Sequence, residues 1–306
     1  MIAFQFDGEV DYFELDPVAY APALAVGGLS SYRARLDEKA RDLGPLPPGV
    51  QRWATTDSHA RFVLEWNEQR LAVLDRDVDA IIRTHVRDRR VAAWFEDTAE
   101  ALEEIGEIDL AIDWAKQAVD FDRGHQALKA AKRWCRLLAE HRCDDLIAAR
   151  WHVFRTWPSS ITAAGLLADA GEAWPAYRDE VIERLSASPR DAVLFALLSV
   201  KEVSYAWNLA HTLRLRDADV WLRLVQDYER IDPLAVLPIL AELAENELSA
   251  AGAQHYKIAA RRLKKMRELA AGTAKAAEVD DLISQLRETH RRRPRLQQEF
   301  DRAGLP

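Results

Sequence analysis

The chain has 306 residues, 49% of them hydrophobic and 30% charged, a composition that fills a sizeable core and excludes disordered and fibrous classes. Its net charge of −8, from 42 basic and 50 acidic residues, argues on bulk charge against a nucleic-acid binder. With only 12 Gly and 12 Pro among abundant Ala, Leu, Arg and Glu it is predicted to be mostly helical, and its two cysteines, Cys135 and Cys143, cannot build a disulfide framework.

The N-terminal MIAFQFDGEVDYFELD lacks the basic and apolar regions of a signal peptide, and no run of about 18 apolar residues follows it. A cytoplasmic protein without a membrane span is therefore expected. Ala3 to Phe6 and Val10 to Phe13 flank Asp7-Gly8, a dipeptide suited to a tight turn, so a short β-hairpin is predicted there. Pro17, Pro22 and Gly27-Gly28 read as the end of that region, and Ser30-Ser31 as the cap of a helix from Tyr32 to about Leu43. Gly44 to Gly49, GPLPPG, is the clearest linker. Three regions result: a hairpin and linker at 1–28, a helix and Pro-rich linker at 29–57, and a helical body at 58–306.

From Ser58 onward apolar residues recur at helical spacing, as in Phe62, Trp66 and Val73. Gly106, Gly124, Trp157-Pro158, Gly171, Ser188-Pro189, Asp232-Pro233, Gly252 and Gly272 cut this pattern into helix-length segments. The rhythm predicts an all-α fold, an α-solenoid of antiparallel helix pairs. Residues 91–124 show one repeat explicitly: Ala99 is small where two helices approach, Gly106 makes the turn, and Ala111, Ala115 and Ala118 line the close face, with Trp114, Val119 and Phe121 around them. This resembles a tetratricopeptide repeat. Thirty-five residues later His141, Leu146 and Val153 occupy the positions of Gly106, Ala111 and Ala118, which predicts a wider or rotated crossing.

LRDADVWLRLVQDYERIDPLAVLPILAELAENEL at 215–248, YKIAARRLKKMREL at 256–269 and EVDDLISQLRETHRRRPRLQQEFDRAGL at 278–305, with LDRDVDAIIRTHVRD at 74–88 upstream, resemble the C-terminal helical region of bacterial SWIM zinc-finger proteins. The resemblance covers about 29–305. That family's finger requires a Cys-x-Cys pair and a Cys-x-His pair, and this chain has neither. The resemblance thus implies a helical module without metal or cofactor, with the zinc finger supplied by a separate polypeptide.

Other constellations favour structural readings. Cys135, His141, Cys143 and His152 are spaced by six, two and nine positions, which fits no common zinc pattern, and Cys135 lies among Trp134, Leu137 and Leu138. Asp75, Asp77 and Asp79 lack the glycine and distal glutamate of a calcium loop and suit a helix start. No phosphate-cradling, nucleophile-elbow or zinc-protease motif occurs, so no catalytic residue is assigned. Most of the ten tryptophans fall on apolar helical stripes, the expected place for core packing.

The one polarised segment lies near the C-terminus. His255 to Arg295 holds 12 basic and five acidic residues, a local +7 against −15 elsewhere. Arg261, Arg262, Lys264, Lys265 and Arg267 crowd one predicted helix, and Arg291, Arg292, Arg293 and Arg295 surround Pro294, which suits the start of the next. These nine are the candidate anion- or partner-binding residues, with internal pairing to acidic side chains as the competing expectation. A non-catalytic protein–protein interaction scaffold is the leading functional expectation. A nucleic-acid-associated protein using the basic patch, an enzyme with a dispersed site, and a homo-oligomer stand as alternatives.

Overall fold

The computed structural model describes residues 2–6, 15–46, 55–87, 89–250 and 252–306, and all regular structure among them is helical. The chain divides into two compact units, 1–157 and 158–306. The boundary falls at Trp157-Pro158, inside the span that the periodicity groups as one body.

The first unit contains α1 (Ile2–Phe6), α2 (Pro17–Leu43), α3 (Ser58–Leu74), α4 (Val78–Val86), α5 (Ala92–Glu104), α6 (Ile108–Phe121), α7 (His125–His141) and α8 (Cys143–Thr156). From α2 onward each helix packs on its successor. The expected first hairpin strand is instead α1. Ile2 is buried with Tyr32 and Leu36, while the Gln5 side chain donates to the Leu15 carbonyl and accepts from the Tyr32 hydroxyl. Docking on α2 and α3 thus overrides local strand propensity. The turn Asp7-Gly8 and the second strand at 10–13 lie outside the described residues, as does 47–49 of the linker.

The second correction concerns α2, which begins at Pro17 rather than near Tyr32. Asp16 accepts a hydrogen bond from Val18 N at 2.9 Å, and Pro17 occupies the first helical position, where its missing N–H has no intrahelical partner to lose. Pro17 starts a helix rather than ending a region. The following Pro22 and Gly27-Gly28 flank a kink at Ala25, with φ 53° and ψ −177°, that divides the span into two helical stretches, so a break does fall where those residues indicate one.

The α5–α6 pair shows how small residues set close packing. Ile105, Gly106 and Glu107 fold α6 back on α5; Gly106 adopts φ 86°, which suits a residue without Cβ, and its N–H donates to the Glu103 carbonyl. Ala99, Ala111, Ala115 and Ala118 are all 0% exposed at this contact, and Leu102 and Val119 are buried beside them. Trp114 is buried as expected, whereas Phe121 is 37% exposed and covers the edge of Phe95, with ring centroids 5.4 Å apart.

The second unit contains α9 (Ser160–Ala170), a 3₁₀ turn at Gly171–Ala173, α10 (Pro175–Leu185) and α11 (Pro189–Leu194), which runs on into a π-helical turn at Phe195–Val200. Then follow α12 (Val203–Thr212), α13 (Ala218–Tyr228), α14 (Leu237–Ala250), α15 (Ala253–Ala270), α16 (Ala276–Thr289) and α17 (Pro294–Ala303). Asp191 ties two helix starts together: it accepts from Ser160 N at 2.8 Å and from the Ser188 hydroxyl at 2.7 Å. Trp207, Trp221 and Tyr228 form an aromatic cluster, with Trp207 stacked on Tyr228 at 4.2 Å. A continuous core from Val193 to Leu305 runs through α11 to α17, with Leu263, Met266, Leu296 and Phe300 joining α15 to α17.

Every break named from the sequence between Gly106 and Gly272 falls at a helix end or in the connection between two helices, as Asp232-Pro233 does between α13 and α14. Among the described residues no helix is long and apolar enough to cross a membrane.

Candidate anion-binding groove

The nine candidate cations separate into two sets. In α15, Arg262 donates to the Leu243 carbonyl and pairs with Glu247 at 3.1 Å, Lys265 pairs with Glu229 at 3.0 Å, and Arg267 pairs with Asp280 at 2.6 Å while donating to the Gly304 carbonyl. At the α16–α17 boundary, Arg291 pairs with Glu288, and Arg293 donates to the Leu248 carbonyl at 2.7 Å. Five of the nine are thus held by their own unit. Arg261, Lys264, Arg292 and Arg295 are exposed and have no ion-pair partner among the described residues.

Three of those four converge. A groove of about 570 Å³ runs between α15 and α17, walled on one side by Lys257, Arg261 and Lys264 and on the other by Arg295, Glu299 and Arg302. Both sets follow the i, i+4, i+7 spacing that places side chains on one helical face. The helices run parallel, since Arg293 near the start of α17 reaches Leu248, just before α15, and Arg267 near the end of α15 reaches Gly304, just after α17. The two charged rows therefore lie side by side, each about 10 Å long at 1.5 Å rise per residue. Glu299 is the only carboxylate of the lining and pairs with Arg302 at 2.6 Å, so five cations and one anion leave a net +4. Ala253, Ala260 and Ala303 bring small side chains to the lining.

The local sequence explains why these side chains face outward. Tyr256, Ala259, Leu263 and Met266 of α15, and Leu296 and Phe300 of α17, fill the core, and the cations occupy the adjoining faces. Outside the groove, burial first, and then the nearby Arg293 guanidinium, holds the His290 imidazole below the ordinary histidine range. Lys257 and Arg302 belong to the groove but lie outside the two clusters read from the sequence. Their signal was the spacing, since Lys257 precedes Arg261 by four residues and Arg302 follows Arg295 by seven.

A second cleft, of about 460 Å³, lies beside α15 against α13 and α14, over Leu222, Val225, Leu240 and Ile258. Its rim cations Arg262 and Lys265 are the neutralised ones, so Arg261 alone contributes uncompensated charge there.

The remaining constellations have local structural duties. Asp77 caps α4 by accepting from Ala80 N at 2.9 Å, and Asp75 receives both terminal nitrogens of Arg33. Cys135 is buried and Cys143 exposed, while His152 pairs with Asp120 at 3.0 Å and packs edge-on against Trp134. Among the described residues no three His, Cys, Asp or Glu side chains are grouped to hold a metal. Trp114, Trp134, Trp207 and Trp221 are buried, whereas Trp66, Trp94, Trp151 and Trp174 are partly exposed. No family model matches the chain, and no curated protein matches it.

Proposed function

We propose that this protein is a non-catalytic interaction scaffold that engages an anionic surface of a partner protein through the α15/α17 groove. The observation that carries this reading is the pair of parallel, mainly basic rows in which Glu299 answers only Arg302 and four cations stay unpaired, in a unit that neutralises four neighbouring cations internally. Exposed pairs contribute little to stability, so leaving four groove cations unpaired costs the fold little while keeping them available. Helix pairs of the α5–α6 type, with alanines at the crossing, support a tetratricopeptide-like architecture, a fold that presents extended surfaces to partners. The resemblance to the helical region of SWIM zinc-finger proteins points the same way, towards a partner that carries the missing finger.

A nucleic-acid reading is less well supported. The groove's rows span only about 10 Å, the next position of the α15 row is Glu268, and the other basic residues of α15, Arg262, Lys265 and Arg267, are bound to Glu247, Glu229 and Asp280, so the described residues form no continuous track for a phosphate backbone. Fluorescence anisotropy with labelled polyglutamate and with single- and double-stranded DNA and RNA of similar charge tests the reading. Polyglutamate is expected to bind the full chain, to weaken steeply with added salt, and to weaken on Lys257→Ala, Arg261→Ala and Arg295→Ala together. Absence of polyglutamate binding, or tighter binding of a nucleic acid that depends on the same residues, would overturn it.

A further inference from the structure

Resting on that reading, we infer that the groove's occupant is an amphipathic acidic helix of the partner protein, lying along α15 and α17 with small side chains over the alanines and carboxylates facing the two cation rows. The backbone of the occupant decides between a helix and an extended segment. Beyond their first turns both walls are helices whose N–H groups are already paired within α15 and α17, so a strand laid between them would find no ladder to join and most of its own backbone groups would go unpaired. A helix arrives with its backbone satisfied.

The spacing agrees. Lys257, Arg261 and Lys264 sit at about 0, 6 and 10.5 Å along the α15 axis, while in α17 the cations Arg295 and Arg302 stand about 10.5 Å apart with Glu299, already paired to Arg302, between them. Carboxylates at i, i+4 and i+7 of a guest helix advance by the same steps. Same-face residues of a strand fall at about 0, 6.6 and 13 Å, and lose register by the third charge. Ala253, Ala260 and Ala303 permit a close interaxial approach, of the order of 8 Å, where larger residues would hold a guest helix away. The arrangement resembles the seam of a coiled coil, with small residues at the centre and complementary charges flanking them.

The test uses the full-length protein and three labelled peptides of about 20 residues and identical composition. The first carries glutamates at i, i+4 and i+7 on one helical face beside a stripe of alanines; the second distributes the same residues around the helix; the third keeps the first pattern but has its central position exchanged with a proline from its end. The face-patterned peptide is expected to bind about tenfold more tightly than either other, to gain helicity on binding, and to lose that advantage on Arg261→Glu or Arg295→Glu. Equal binding of all three, with polyglutamate binding retained, would overturn the helical occupant and leave the scaffold reading standing. Failure of every acidic ligand would remove both. Self-association of the parent that disappears in the same variants would make a second copy the occupant and overturn a separate partner. Unchanged circular dichroism of both variants establishes that the losses arise at the groove.

Discussion

The helices α5 to α7 and the helices α15 to α17 treat charge in opposite ways. Along α5, Glu100 and Glu103 face α7, where Arg133 pairs with both, Arg136 reaches Glu103 at 2.7 Å, and Lys129 lies 3.4 Å from the nearly buried Glu96. Acid on one helix meets base on the other. Along α15 and α17 the facing rows are both basic, and Glu299 alone answers them. Like-charged rows side by side are mildly repulsive, so they do not hold the helices together; Leu263, Met266, Leu296 and Phe300 do that from beneath. Where opposite charges interlock across a helix contact they serve the architecture, whereas the one sign left over along α15 and α17 does nothing to hold that contact together.

Overpacking the first region gives the largest expected effect. Ala118 is 0% exposed at the crossing of α5 and α6, and Ala118→Phe should cost about 1 to 3 kcal/mol, read as a lowered denaturation midpoint. An unchanged midpoint would mean that the crossing is not close-packed.

A smaller effect attends the charge lattice itself. Burial works against the Glu103 carboxylate, but hydrogen bonds from Arg136 and Arg133 hold it below the ordinary value of 4.5. A depressed carboxylate contributes stability above its unfolded value and loses it as pH falls through the folded one. Glu103→Ala should therefore destabilise the protein by about 1 kcal/mol at neutral pH, after allowance for solvent screening. The gap should close as pH falls through and below 4.5, and a gap that persisted unchanged in acid would assign the loss to packing instead.

Much of this contrast was legible in the sequence and part was not. Breaks at Gly106, Ser188-Pro189 and Gly252 are local signals, and each marks a helix end; the alanines at 99, 111, 115 and 118 announce a close crossing because their spacing follows the helix. The N-terminus misled because Ile2 to Phe6 takes its conformation from Tyr32 and Leu36, which are distant in sequence. Pro17 misled because a proline both stops and starts helices, and Asp16 beside it was the cue to the second role. At the basic end, residue type identified Arg261, Lys264 and Arg295 but could not separate them from Arg262, Lys265 and Arg267. That separation depends on Glu247, Glu229 and Asp280, which only the packing of α13, α14 and α16 around α15 brings within reach.

Hydrogen–deuterium exchange of the full chain with and without polyglutamate tests most directly whether the leftover charge is a binding surface. Side chains that serve a ligand and not the fold can be removed at little cost, so Arg261→Ala combined with Arg295→Ala should leave stability within about 0.5 kcal/mol of the parent. In the parent, added polyglutamate should slow exchange in 253–264 and 295–303 and leave α5 to α7 unaffected; in the variant that protection should vanish. Protection centred elsewhere, or equal protection in parent and variant, would contradict the assignment of the groove.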